Sequence, residues 1–98
     1  MSKHAESHET DSTLIHHRNR LAGLWAAELL GLIGHAAQDY VHGVMHPGHH
    51  DRDLHGDDAD QVTAQLSKDL AGRVTLPEIR GKMAHFLEEA RHRLQGKH

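Results

Sequence analysis

A chain of 98 residues forms a single domain with a modest hydrophobic core, so each large apolar side chain in it matters. It has no cysteine, which excludes disulfides, thiolate metal sites and thiol nucleophiles and suits a cytoplasmic protein. Its formal charge is −3 with 13 histidines counted as neutral, so full protonation carries it to +10, and the net sign reverses in the mildly acidic range around the ordinary histidine pKa of about 6.5.

Met1 to Asp11 is polar, with Met1 and Ala5 its only apolar residues. It reads as a disordered arm over residues 1–11, or as a helix that orders only on a partner. A single domain then spans residues 12–95. Its first helix, about 12–33, takes its cap from Asp11 or Ser12. At about 100° per residue, Leu14, Leu21, Leu24, Trp25 and Leu32 share one face. Ala22, Ala26, Leu29 and Ile33 widen that face, and Asn19, Arg20 and Gly23 lie opposite. Gly31 and Gly34 end or kink this helix, because glycine is a poor helix former that permits positive φ. A second helix, about 35–46, has Ala36, Ala37, Tyr40, Val41 and Val44 on its apolar face. Its other face carries His35, Asp39, His42 and His46, and Pro47 stops it.

Pro47 to Gly56 is a loop rich in histidine and aspartate. A third helix, about 58–71, is capped by Asp57 or Asp58. Its apolar stripe is narrow, Val62, Leu66 and Leu70, and Gly72 sits at the C-cap position. The fourth helix, about 76–94, opens on Thr75-Leu76-Pro77-Glu78, a capping box with proline in the first turn. Ile79, Met83, Phe86, Leu87, Ala90 and Leu94 keep helical spacing, and Gly96 follows the end. Gly81 inside this helix costs about 1 kcal/mol relative to alanine unless close packing requires it. No segment alternates with period two, so the class is all-α, a small four-helix bundle.

Several functions are disfavoured at this level. No nucleophile–base pair, phosphate-binding loop or ordered carboxylate pair is visible, so the chain does not read as an enzyme. Arg18, Arg20, Arg91 and Arg93 are scattered on a net-negative chain, which argues against nucleic acid. The apolar run from Leu21 to Ile33 is interrupted by Glu28 and falls short of the roughly 20 residues needed to span a bilayer, so stable membrane insertion is not expected.

The stretch Arg18-Asn19-Arg20-Leu21-x-Gly23-Leu24-Trp25-Ala26-Ala27-Glu28-Leu29-Leu30-Gly31 resembles the inhibitor ζ subunit of the alphaproteobacterial F1 ATP synthase. Tyr40, Lys68-Asp69-Leu70 ahead of Gly72, and Ile79-Arg80-x-Lys82-Met83 support the resemblance. Order and spacing agree from about Leu14 to Leu94. The resemblance implies a four-helix, non-catalytic regulatory protein without a cofactor. Its N-terminal segment would form an inhibitory helix that enters a catalytic interface of F1 and blocks rotation in the hydrolytic direction. The other helices would anchor it. The implied partners are F1-ATPase subunits, with the chain a monomer when free. The partner-binding residues would be Arg18, Arg20, Trp25, Glu28, Arg80 and Lys82. The chain departs from the family in its shortened N-terminal arm, which has no aromatic residue, as in a divergent paralogue.

Particular residues carry alternatives. Trp25 with Leu21 and Leu24 is either core or a half-exposed docking face. Glu28 falls between Leu21, Leu24 and Leu32. It either sits at the edge of the interface or forms a structural ion pair, with Arg18, Arg80 or Lys82 in reach, or else it is buried with a raised pKa, which would make opening of the bundle pH-sensitive. His35, Asp39, His42, His46, His49 and His50 form a dense group, with His42 and His46 at the i, i+4 spacing that suits two imidazole ligands. That group is either a solvated face or a weak site for Zn²⁺, Ni²⁺ or Cu²⁺. His4 and His8 alternate with Glu6 and Glu9, so the arm becomes more basic below about pH 6.5. These histidines support a second reading, from another class: a non-inhibitory, histidine-rich paralogue that acts as a metal- or pH-responsive binding module.

Overall fold

The structure, a computed structural model, describes residues 2–45 and 59–95, with the side chains of 13–45 and 59–94. Its four helices are α1 (Ser2–Leu30), α2 (Gly34–Met45), α3 (Ala59–Asp69) and α4 (Leu76–Gln95), and the described residues contain no strand. The chain is the expected all-α, four-helix protein. α1 packs against both α2 and α4, and α3 packs against α4. The histidine- and aspartate-rich loop, the candidate caps Asp57 and Asp58, and Gly96 lie outside the described residues. No helix among the described residues is long and apolar enough to cross a membrane.

α1 begins at Ser2 rather than at a cap on Asp11 or Ser12, so the polar N-terminal residues and the core-facing segment share one helical backbone. Its 29 residues span about 43 Å at 1.5 Å per residue. Nothing in the sequence breaks this helix, because no glycine or proline precedes Gly23. A helix already nucleated in the core also propagates at low cost. At its other end α1 stops at Leu30, earlier than Ile33. The Leu32 N–H donates to the Ala27 carbonyl at 2.9 Å and the Gly31 N–H to the Glu28 carbonyl at 3.1 Å. This is a Schellman closure, and it needs the left-handed φ of 75° that Gly31 supplies.

The buried face of α1 differs from the face drawn through its largest side chains. Arg18, Asn19, Ala22, Gly23, Ala26 and Ala27 are buried, whereas Leu24 is 43% exposed and Leu21 and Trp25 are half-buried. Asn19 and Gly23 therefore face inward and not outward. The reason is spacing between helices. A Cβ on Gly23 would stand 3.1 Å from Val41 Cα and 3.3 Å from Val44 Cβ, so α1 and α2 approach closely through small residues. Large side chains fit only at the margins of such a contact.

α3 and α4 follow their stripes. Val62, Leu66 and Leu70 are fully buried, and Ile79, Met83, Phe86 and Ala90 face them from α4. The turn between these helices uses Gly72 at φ 85°. The capping box then forms as expected: the Thr75 N–H donates to Glu78 Oε1 at 2.8 Å, and the Glu78 N–H donates to Thr75 Oγ1 at 3.3 Å. On α2, Val41 and Val44 are buried and Tyr40 packs at the edge of the core.

Candidate functional site

The Trp-containing block of α1 divides into an inner and an outer half. Inside, Arg18 is 2% exposed. Its Nε and Nη2 donate to Asn19 Oδ1 at 3.0 and 2.7 Å, and both residues have further interactions. A guanidinium is removed from water only where its donors are used, so Arg18 serves the interior. Arg20, two positions on, is exposed and borders a shallow depression with Thr13, His16, His17 and Met45.

The outer half centres on Trp25. Its ring meets Phe86 of α4 edge-on, with centroids 6.0 Å apart and planes at 61°. Lys82 Nζ lies 5.7 Å from the Trp25 centroid and 5.8 Å from that of Phe86. Lys82 is exposed, and an ammonium over aromatic rings at such a site contributes about 0.5–1 kcal/mol per contact. Trp25, Glu78, Gly81, Lys82 and His85 line a groove between the two helices. The His85 ring also lies 5.8 Å from Phe86, and its Nε2 stands 3.6 Å from Glu89 Oε1. Trp25 is thus both core and surface: one edge packs on Phe86 and the rest borders the groove.

Glu28 is exposed, so burial does not force a partner on it. The structure does not bring it into an ion pair with Arg18, Arg80 or Lys82 among the described residues. Arg80 is exposed on α4. Of the candidate metal ligands, His35, Asp39 and His42 are exposed on α2, while His46, His49 and His50 lie outside the described residues. Among the described residues, no three histidine or acidic side chains are grouped to hold a metal ion.

One interaction has no counterpart in the sequence reading. The Tyr40 hydroxyl of α2 donates to Asp69 Oδ2 of α3 at 2.8 Å across 29 positions of sequence. Partial burial, then this hydrogen bond and the negative charge of Asp69, hold the phenol protonated well above its ordinary range. Both residues are among those that carry the family resemblance, and helical spacing gives no sign that they meet.

The fold and these surfaces define a small, all-α, four-helix protein with aromatic and charged side chains gathered where its first and last helices meet. The family model for ATPase inhibitor subunit zeta matches residues 2–93, and the chain belongs to that family. It is by this membership a regulatory protein related to ATPase inhibitors. No curated protein and no solved structure matches the chain.

Proposed function

We propose that the chain binds an F1-type ATPase and restrains its hydrolysis of ATP. The N-terminal part of α1 is the inhibitory element and the packed four-helix body is its anchor. The reading rests on one observation above all: the family match starts at residue 2 and so takes in the N-terminal segment, which is continuous in backbone with the core-facing part of α1. An obstruction to rotation must be stiffly coupled to whatever holds it in place. An unbroken helix whose C-terminal half is fixed by fully buried Ala22 and Ala26 provides that coupling. No bond-making chemistry is needed, because the inhibitor acts by occupying a cleft.

Met1 to Thr13 offers little apolar surface. Burial is worth about 25 cal/mol per Å², so the arm alone binds weakly and the body must supply affinity. Arg20, Trp25, Glu28, Arg80 and Lys82 are the candidate contacts on that body, with Arg18 holding α1 from inside. The test measures ATP hydrolysis by F1 with the intact chain and with residues 1–13 removed. The intact chain is expected to inhibit, and the truncated chain to bind with inhibition lost. Equal inhibition by both would move the inhibitory element elsewhere. Inhibition by neither would refute the reading.

A further inference from the structure

The helices are not held equally. α2 packs broadly against α1 alone, and α3 against α4 alone. α3 enters the core through Val62, Leu66 and the adjoining Leu70, all fully buried, and α4 through Ile79, Met83, Phe86 and Ala90. α2 buries two valines, Val41 and Val44. A further tie is the hydrogen bond from the Tyr40 hydroxyl to Asp69 Oδ2 at 2.8 Å, which reaches across to the end of α3.

α2 is also weak as a helix. It has 12 residues, and helices shorter than about 12–15 residues are marginal in water without packing. Gly43 in its interior lowers its propensity further. An added Cβ at Gly43 would meet nothing within 4 Å, so no close contact is gained in return. Gly31 at φ 75° and Gly34 at φ 63° flank the turn that leads into α2, and Ile33 in that turn is 82% exposed. Two positions on α1 locate α2 relative to α4. At Gly23 the helix meets Val41 and Val44 of α2, and at Trp25 it meets Phe86 of α4. These positions lie about 200° apart around the helix axis. α2 therefore sits on one side of α1, and the Trp25–Phe86 contact on the other.

We infer that α2 is a detachable helix: it leaves as one piece while α1, α3 and α4 stay packed, and the Tyr40–Asp69 hydrogen bond is its latch. Native proteins open in cooperative units whose free energies range up to that of global unfolding. α2, with two buried valines and a poor helix sequence, is the first such unit here. Its release uncovers the Gly23 side of α1. The helix that carries the proposed inhibitory segment is then held on its α4 side only. The inference stands on packing within the chain and does not depend on binding to F1.

The test is native-state amide hydrogen exchange of the full-length protein, corrected for intrinsic rates, in wild type, Tyr40→Phe and Phe86→Leu. In the wild type, the Val41 and Val44 amides of α2 should exchange about tenfold or more faster than Met83 and Ala90 of α4 and than Leu66 and Leu70 of the α3 stripe. Phe86→Leu loosens a contact that persists when α2 is released. It should speed the α3 and α4 amides severalfold and leave those of α2 at their wild-type rates. Tyr40→Phe removes the latch and should speed Val41 and Val44 about tenfold, as expected for loss of a hydrogen bond to a carboxylate. A single common rate in the wild type, or acceleration of α2 along with the rest in Phe86→Leu, makes the bundle one cooperative unit and overturns the inference. Amides of α3 as fast as those of α2 place the loose element elsewhere and overturn it too. So does an α2 rate unmoved by Tyr40→Phe, which would mean fraying with α2 still docked.

Discussion

Replacing Tyr40 by phenylalanine isolates one bond. α2 takes most of its packing from α1, and the 2.8 Å hydrogen bond to Asp69 ties it to α3. Phenylalanine keeps the ring against the core and removes only the donor. A hydrogen bond to a charged acceptor contributes about 1.5–3 kcal/mol. Both side chains are only partly buried here, so Tyr40→Phe should cost about 1–1.5 kcal/mol at neutral pH, by the same scale discounted for solvent. The pH dependence has a definite sign. The folded state holds the phenolic proton more tightly than the unfolded chain, first through burial and then through Asp69. That contribution is complete below the unfolded tyrosine value of about 10 and is lost as pH rises above it toward the higher folded value. Urea denaturation at pH 7 and pH 11 reads the difference between the two proteins, and lysine titration is common to both. Tyr40 is the only tyrosine, so tyrosinate absorbance follows it alone. Ionisation near pH 10 in the folded protein, together with equal stability of wild type and Tyr40→Phe at pH 7, would refute the reasoning.

Two further substitutions test the core and the last helix. Leu66 is fully buried between α3 and α4, so Leu66→Ala should lose about 2–5 kcal/mol in urea denaturation, depending on how far the cavity closes. Thr75→Ala removes the Oγ1 that accepts from the Glu78 N–H, and should lower stability by about 1 kcal/mol, read as a fall in the thermal midpoint by circular dichroism.

Legibility in the sequence followed side-chain size and locality. α3 and α4 were readable because large aliphatic residues recur at helical spacing and most of them are buried, Val62, Leu66, Leu70, Ile79 and Met83 among them, with Leu87 and Leu94 half-buried. Their ends were readable because Gly72 and the Thr75–Glu78 box act within a few residues. The exposed placement of His35, Asp39 and His42 followed from the apolar face opposite them. The orientation of α1 was not readable in the same way. A stripe drawn through Leu21, Leu24 and Trp25 assumes that the largest apolar residues mark the interior, and α1 instead buries Ala22, Gly23, Ala26 and Ala27. Glu28 looked anomalous only on the first assumption. The Tyr40–Asp69 bond was hidden for a different reason: periodicity describes one helix at a time and carries no information about which side chains of separate helices meet.

The small-residue face of α1 bears on the proposed function. Close contact through Gly23 and the alanines fixes α1 to α2 without consuming its larger apolar side chains. Leu24 and Leu29 are left 43% and 37% exposed, and Trp25 half-exposed beside them. Apolar surface that the fold leaves in water is surface whose burial favours association, at about 25 cal/mol per Å². The N-terminal residues of the same helix have almost none of it. An inhibitor built this way must derive its hold from the C-terminal half of α1 and the adjoining face of α4. The polar N-terminal half then contributes position and charge. Removal of residues 1–13 should therefore abolish inhibition with little loss of affinity, whereas Leu24→Ala should lower affinity with the inhibitory segment intact. The reverse pattern would place the hold in the arm and leave the exposed leucines and Trp25 without a role in binding.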